Sequence, residues 1–122
     1  MNLFVGTDIE SVDRFKKIFD EDPDSLKKLF FETEYEYAIS KANPAQTFTG
    51  IWCAKEAVIK LYSTMLQLTT RNVEIVSCLN ASPNVLIHRL NICDYNVSIS
   101  IAHTKDYATA TAIALISDEK GF

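Results

Sequence analysis

Gly50-Ile51-Trp52-Cys53-Ala54-Lys55-Glu56-Ala57-Val58-Ile59-Lys60-Leu61 reads as the middle of one long helix with two unlike faces. Ile51, Ala54, Val58, Leu61 and Met65 fall at i, i+3, i+7, i+10 and i+14, an apolar stripe for a core. Glu56 and Lys60 are one turn apart and point away from that stripe, and Trp52 lies one turn before Glu56. Lys55 points between the two faces. Two readings fit the charged side. One is an ordinary surface ion pair, worth about 0.2–0.5 kcal/mol. The other is the wall of a charged cleft.

Towards the N-terminus, the helix begins between Ala45 and Phe48, and at the other end it runs to about Met65. Asn43-Pro44 separates it from an earlier helix, Glu32 to Lys41, which has Tyr35, Ala38 and Ile39 at apolar spacing. Leu26 to Phe31 is a short helical or irregular segment after an acidic turn, Asp20-Glu21-Asp22-Pro23-Asp24. Before that turn a helix is predicted from near Ile9 to Ser11 onward. Val12, Phe15, Ile18 and Phe19 make its buried side, and Arg14, Lys16 and Lys17 form a basic patch. Leu3-Phe4-Val5 is a strand ended by Gly6-Thr7-Asp8, which puts Asp8 where a helix cap or first-turn acid belongs.

Beyond the central helix the pattern turns to sheet. Val73 to Cys78 and Val85 to Leu90 read as strands around a turn at Asn80-Ala81-Ser82-Pro83. Val97, Ile99 and Ile101 alternate with Ser98 and Ser100, a half-buried strand. Ala102-His103-Thr104-Lys105-Asp106 turns the chain into a last strand, Tyr107 to Ile116. One face of that strand is a row of alanines, Ala108, Ala110, Ala112 and Ala114, on which the central helix can sit closely. The predicted fold class is therefore α+β, with helices packed on one face of a mostly antiparallel sheet.

A chain of 122 residues, 48% of them hydrophobic, makes one domain over 1–122 with a core of its own. Only three glycines and three prolines argue against disorder or a flexible linker. A net charge of −4 provides no basic field for nucleic acid, so an anionic ligand needs a local cluster of cations or a metal. Cys53, Cys78 and Cys93 have no metal-ligand spacing and lie among apolar residues, as buried free thiols do. The N-terminus has no signal-peptide pattern and no apolar run reaches a membrane span, so a cytoplasmic, reduced setting is expected.

Three stretches taken together resemble one family. They are Val5-Gly6-Thr7-Asp8-Ile9-Glu10, the Gly50 to Ala57 stretch with Lys60, and Ile99-Ser100-Ile101-Ala102-His103-Thr104-Lys105-Asp106-Tyr107-Ala108. In order, spacing and chain length they resemble 4′-phosphopantetheinyl transferases of the holo-acyl-carrier-protein synthase type. The resemblance implies transfer of the phosphopantetheine arm of coenzyme A to a serine of an apo acyl carrier protein, with adenosine 3′,5′-bisphosphate leaving. It implies Mg²⁺ held by Asp8 and Glu56, which fits the ion's habit of binding one or two carboxylates together with substrate phosphates. Asp8, Glu56 and Lys60 are then the catalytic set, with Lys60 reaching the phosphates. His103 takes the family's histidine position beside the coenzyme, and Lys55 belongs to the same motif on the coenzyme side. The base for the serine hydroxyl is either Glu56 or a water held at the metal site. Arg14, with Lys16 and Lys17, matches the helix on which the acidic carrier docks. The resemblance also implies a homotrimer with active sites at subunit interfaces, and a role in fatty acid, polyketide or other lipid-like synthesis.

The chain departs from the family pattern in three places. Ile51 stands at an arginine position, Ser63-Thr64-Met65 replaces a Gly-Thr-Gly turn, and Asn80-Ala81-Ser82-Pro83 replaces Asn-Gly-Lys-Pro. Loss of the arginine removes a phosphate partner. Loss of the glycines removes backbone freedom near the phosphates. Weaker coenzyme binding is expected, together with tighter binding on Ile51→Arg. A degenerate paralogue that binds coenzyme A or a partner without turnover is the alternative to an active transferase.

Overall fold

The computed structural model describes residues 1–78, 81–88, 92–93 and 97–117. In chain order the elements are β1 (Asn2–Ser11), α1 (Val12–Glu21), α2 (Pro23–Leu29), α3 (Glu32–Ile39), α4 (Pro44–Tyr62), β2 (Val73–Cys78), β3 (Ala81–Ile87), β4 (Ile92–Cys93), β5 (Val97–His103) and β6 (Tyr107–Ile116). The strands form two three-stranded sheets, ordered β1-β6-β5 and β2-β3-β4, and every pairing is antiparallel. The α+β class stands, with the strands divided between two sheets. No helix among the described residues is long and apolar enough to cross a membrane.

The alanine row does what its spacing predicts. Ala108, Ala110, Ala112 and Ala114 of β6 are all buried beneath α4. Gly6 of β1, opposite Ala112, lets the helix closer still. A Cβ on Gly6 would lie 1.9 Å from the Ala57 carbonyl oxygen and 2.7 Å from the Leu61 nitrogen. On the β5 side, a Cβ on Gly50 would lie 2.9 Å from Ile101 Cγ2. The helix backbone is thus seated across the whole β1-β6-β5 sheet. Asn43 caps α4 by accepting the Gln46 N–H at 3.2 Å, and Pro44 starts it where no backbone donor is needed.

An aromatic cluster fills the space between α4 and the first three helices. Phe30 meets Phe48 at 5.0 Å between ring centroids, and Phe15 and Phe30 meet Trp52 at 5.8 Å and 5.9 Å. Trp52 is half-buried there, its ring part of the core.

Several expectations are corrected. β1 does not stop at Gly6-Thr7-Asp8; its pairing with β6 continues to Ser11 opposite Tyr107, and α1 starts only at Val12. Asp8 is therefore a strand residue and caps nothing. The helix α4 ends at Tyr62 rather than near Met65. On α3 the buried positions are Glu34 and Ala38, while Ile39 is exposed. Ala81-Ser82-Pro83, expected in a turn, belongs to β3, and β3 ends at Ile87. Asn80 of that turn, and residues 89 and 90 of the strand expected to reach Leu90, lie outside the described residues.

Candidate active site

The strand β1 and the helix α4 bring together residues that are about fifty positions apart. Lys60 Nζ donates to Asp8 Oδ1 at 3.0 Å and to the Thr7 carbonyl at 3.0 Å. The Asp8 side chain is only 14% exposed, and its second oxygen, Oδ2, is buried with no N–H or O–H donor, the weak Cys53 thiol being the nearby group that bears on this carboxylate. An ionised carboxylate oxygen left without a donor is costly, and it marks a place that a cation would satisfy. Beneath it lies Cys53, whose thiol donates to the Ala108 carbonyl at 3.4 Å. Burial first, and then the Asp8 carboxylate, push that thiol up to about 12. Cys53 stays protonated and inert. The side chains of Cys78 and Cys93 lie outside the described residues.

Glu56 is one turn before Lys60 on α4. Its carboxyl is raised, first by burial and then by the negative charge of Asp8, while Lys60 and Arg14 oppose the rise. The Asp8 charge thus acts on Glu56 as a like charge, and Lys60 opposes it. Among the described residues there is no cluster of three or more His, Cys, Asp or Glu side chains suited to a metal. Two carboxylates that repel each other, one with an orphaned oxygen, fit a divalent ion that takes its other ligands from water and phosphate.

His103 stands elsewhere. It is exposed at the end of β5, opposite Ala108, and lines a cavity of about 420 Å³ with Lys41, Gln46, Thr47, Ile51 and Ile101 among its walls. Asp8, Glu56 and Lys60 are not among them. In the sheet, β6 lies between the strands of Asp8 and His103, a separation of two strand spacings or about 10 Å, with α4 seated over it. Asp8 and His103 therefore stand on two flanks of α4 within one chain.

Lys55 joins neither. It is fully buried, and its ammonium pairs with Glu34 Oε1 at 2.7 Å, with the Phe31 ring 4.7 Å away. The expectation that it meets the coenzyme fails because its charge is turned into the protein. Ile51 is only 3% exposed, yet it lies on the wall of the cavity that His103 lines, so the position faces both the core and that cavity. Lys41, which the sequence reading passed over, brings a cation to the same cavity.

On α1, Arg14 pairs with Glu10 at 3.1 Å, and its guanidinium lies over the rings of Phe15 and Trp52 at 5.2 Å and 5.6 Å. Lys16 pairs with Asp20 at 2.9 Å and Lys17 is exposed. Glu34 was missed as well. Its place one turn before buried Ala38 was the available signal, since a carboxylate at an apolar position demands a partner.

A family model described as the 4′-phosphopantetheinyl transferase superfamily matches residues 4–112. A holo-[acyl-carrier-protein] synthase of a Thermoanaerobacter species is 37% identical over 122 residues, covering 94% of this chain and 88% of that protein. The holo-[acyl-carrier-protein] synthase of Thermodesulfovibrio yellowstonii is 38% identical, covering 89% and 95%. Among solved structures, an ACPS–CoA complex from Chronobacterium ammoniagenes superimposes with a TM-score of 0.74 at 21% identity, covering 93% and 96% of the two chains. The Mycobacterium tuberculosis acyl carrier protein synthase does so with a TM-score of 0.67 at 28% identity, covering 93% and 97%. Fold, motif order and overall similarity agree, and the chain belongs to the 4′-phosphopantetheinyl transferase superfamily, among the holo-[acyl-carrier-protein] synthases.

Proposed function

We propose that this protein transfers the 4′-phosphopantetheine arm of coenzyme A to a serine of an apo acyl carrier protein and releases adenosine 3′,5′-bisphosphate. The observation that carries this reading is the Asp8–Lys60–Glu56 cluster, with its orphaned carboxylate oxygen and its two opposed acids. Asp8 and Glu56 are the residues that would hold Mg²⁺. When bound, that ion neutralises charge on the pyrophosphate oxygens. Lys60 swings its ammonium between Asp8 and a phosphate, a charge-assisted contact worth about 1.5–3 kcal/mol. The serine oxygen forms a bond to the phosphorus of the pantetheine phosphate, and the bond from that phosphorus to the departing nucleotide oxygen breaks. Glu56, whose carboxyl is raised by burial and by the Asp8 charge, is suited to take the serine proton. Lys41 supplies positive charge and His103 a ring N–H donor for the nucleotide phosphates. Arg14, Lys16 and Lys17 guide an acidic carrier, which explains how a chain of net charge −4 meets an acidic partner.

The separation of Asp8 from His103 motivates a homotrimer in which one copy's Asp8 cluster faces a neighbour's His103 cavity. The sheet face away from α4 supports this. Leu3, Val5 and Ile9 of β1 and Tyr107, Ile113 and Leu115 of β6 are all exposed there, with Leu3 opposite Leu115 and Val5 opposite Ile113. Apolar side chains gathered on one sheet face, here interrupted by Thr7, Thr109 and Thr111, mark an interface. We infer a cytoplasmic role in modifying carriers of fatty acid or polyketide synthesis. Buried Ile51 favours one further reading, a paralogue that binds coenzyme A without turnover. Incubation with coenzyme A, Mg²⁺ and a panel of apo carriers, followed by intact mass, separates the two. A carrier gaining the arm is expected; coenzyme binding with no modified carrier in the panel would favour the paralogue.

A further inference from the structure

Lys55 and Glu34 form a buried pair that the chemistry does not use. Both side chains have zero exposure. Glu34 Oε1 accepts from Lys55 Nζ at 2.7 Å and from the Phe31 N–H at 2.8 Å, and Oε2 accepts from the Ile75 N–H at 2.9 Å. The neighbouring Thr33 hydroxyl donates to Glu74, so α3 is tied to β2 at two adjacent residues. This anchored carboxylate is what Lys55 grips. For stability the pair is a poor device: burial pushes Glu34 up and Lys55 down, in each case against the partner's charge.

The place of the pair on α4 explains it better. Successive helix residues are turned by about 100°, so Glu56 lies midway between Lys55 and Ala57 around the axis. On the Ala57 side, Gly6 of β1 is locked against the helix backbone. On the Lys55 side, Glu34 holds the helix to α3 and β2. We propose that Lys55 is a positioning residue which, through Glu34, fixes the rotation of α4 and so sets Glu56 against Asp8. At a side-chain radius of about 5–6 Å, a turn of about 10° moves a carboxylate by about 1 Å. A misplacement of that size costs up to about 10²-fold in rate.

The inference rests on the transferase reading, and its test separates the two. The variant is the double substitution Glu34→Gln with Lys55→Met, which removes both charges and leaves no single buried ion. Replacing a buried ion pair by packed neutral groups is commonly tolerated by the fold. The expected result is a melting temperature within a few degrees of wild type and a coenzyme A KM within about threefold. The kcat falls at least tenfold, with partial recovery in Glu34→Asp with Lys55→Arg, which restores the pair at a similar total reach. Crystal structures of wild type and double variant should have the Glu56 carboxylate displaced by about 1 Å relative to Asp8. An unmoved Glu56, or a kcat loss that disappears on correcting for the folded fraction, overturns the inference. If wild type modifies no carrier, the transferase reading fails, and the Glu56 displacement alone decides the positioning role.

Discussion

Asp8 Oδ2 is buried without an N–H or O–H donor, and Asp8 and Glu56 yield the sharpest residue-scale predictions. Asp8→Asn and Glu56→Gln should each lower turnover by at least about 10², as loss of a charge clamp on phosphoryl oxygens does. Steady-state kinetics with saturating coenzyme A and carrier measures this. Glu56 also links stability to pH. A carboxyl raised in the fold contributes stability that is complete below its ordinary value near 4.5 and lost as pH rises through the folded value. Glu56→Gln keeps the neutral form at every pH. It should unfold later than wild type at pH 7, and the gap should close below pH 4.5; equal stability at both would remove the strain assigned to this acid. Ile51→Arg should lower the melting temperature, because a charge enters a position that is 3% exposed, and should tighten coenzyme A in calorimetry, because the same position lines the His103 cavity. At this scale the resemblance of three motifs singled out Asp8, Glu56 and Lys60, and the structure brings Asp8 and Lys60 into contact beside Glu56. Spacing could not say that Lys55 turns inward, since that depends on Glu34, contributed by another helix.

At the scale of elements, the seat of α4 was legible in the alanine row of β6, because small residues at period two leave only one way to fill the gap. The length of β1 was not. Gly6-Thr7-Asp8 has the composition of a turn, but Gly6 serves the close approach of α4 and Asp8 remains in the ladder. Gly6→Ala should therefore destabilise by about 3 kcal/mol or more, the upper range for overpacking, since backbone atoms of α4 stand in the way. Chemical denaturation of the variant gives this directly, and a cost under about 1 kcal/mol would mean the helix can lift off the sheet freely. On α1, Arg14→Glu should raise the carrier KM and leave the coenzyme A KM nearly unchanged, with the wild-type kcat/KM for the carrier falling as salt is added. An unaltered carrier KM would leave Arg14 only its pairing with Glu10 and its contacts with the rings of Phe15 and Trp52.

At the scale of the whole molecule, the Asp8 cluster and the His103 cavity stand apart, and the β1-β6-β5 sheet has exposed apolar side chains on the face away from α4. The alternation in β5 and β6 could be read from the sequence, but it shows only which residues share a face. It does not show that the outer side chains stay exposed within one chain. Those side chains and the separation of Asp8 from His103 meet in one measurement. Co-expression of Asp8→Asn with His103→Glu, each crippled alone, should yield mixed assemblies in which some interfaces join an intact Asp8 cluster to an intact His103 cavity. For random mixing that is about one interface in four. Carrier modification followed by intact mass should recover to roughly that fraction of the wild-type rate. A mixture no more active than its separate components, beside an active wild type, would contradict a site shared between copies.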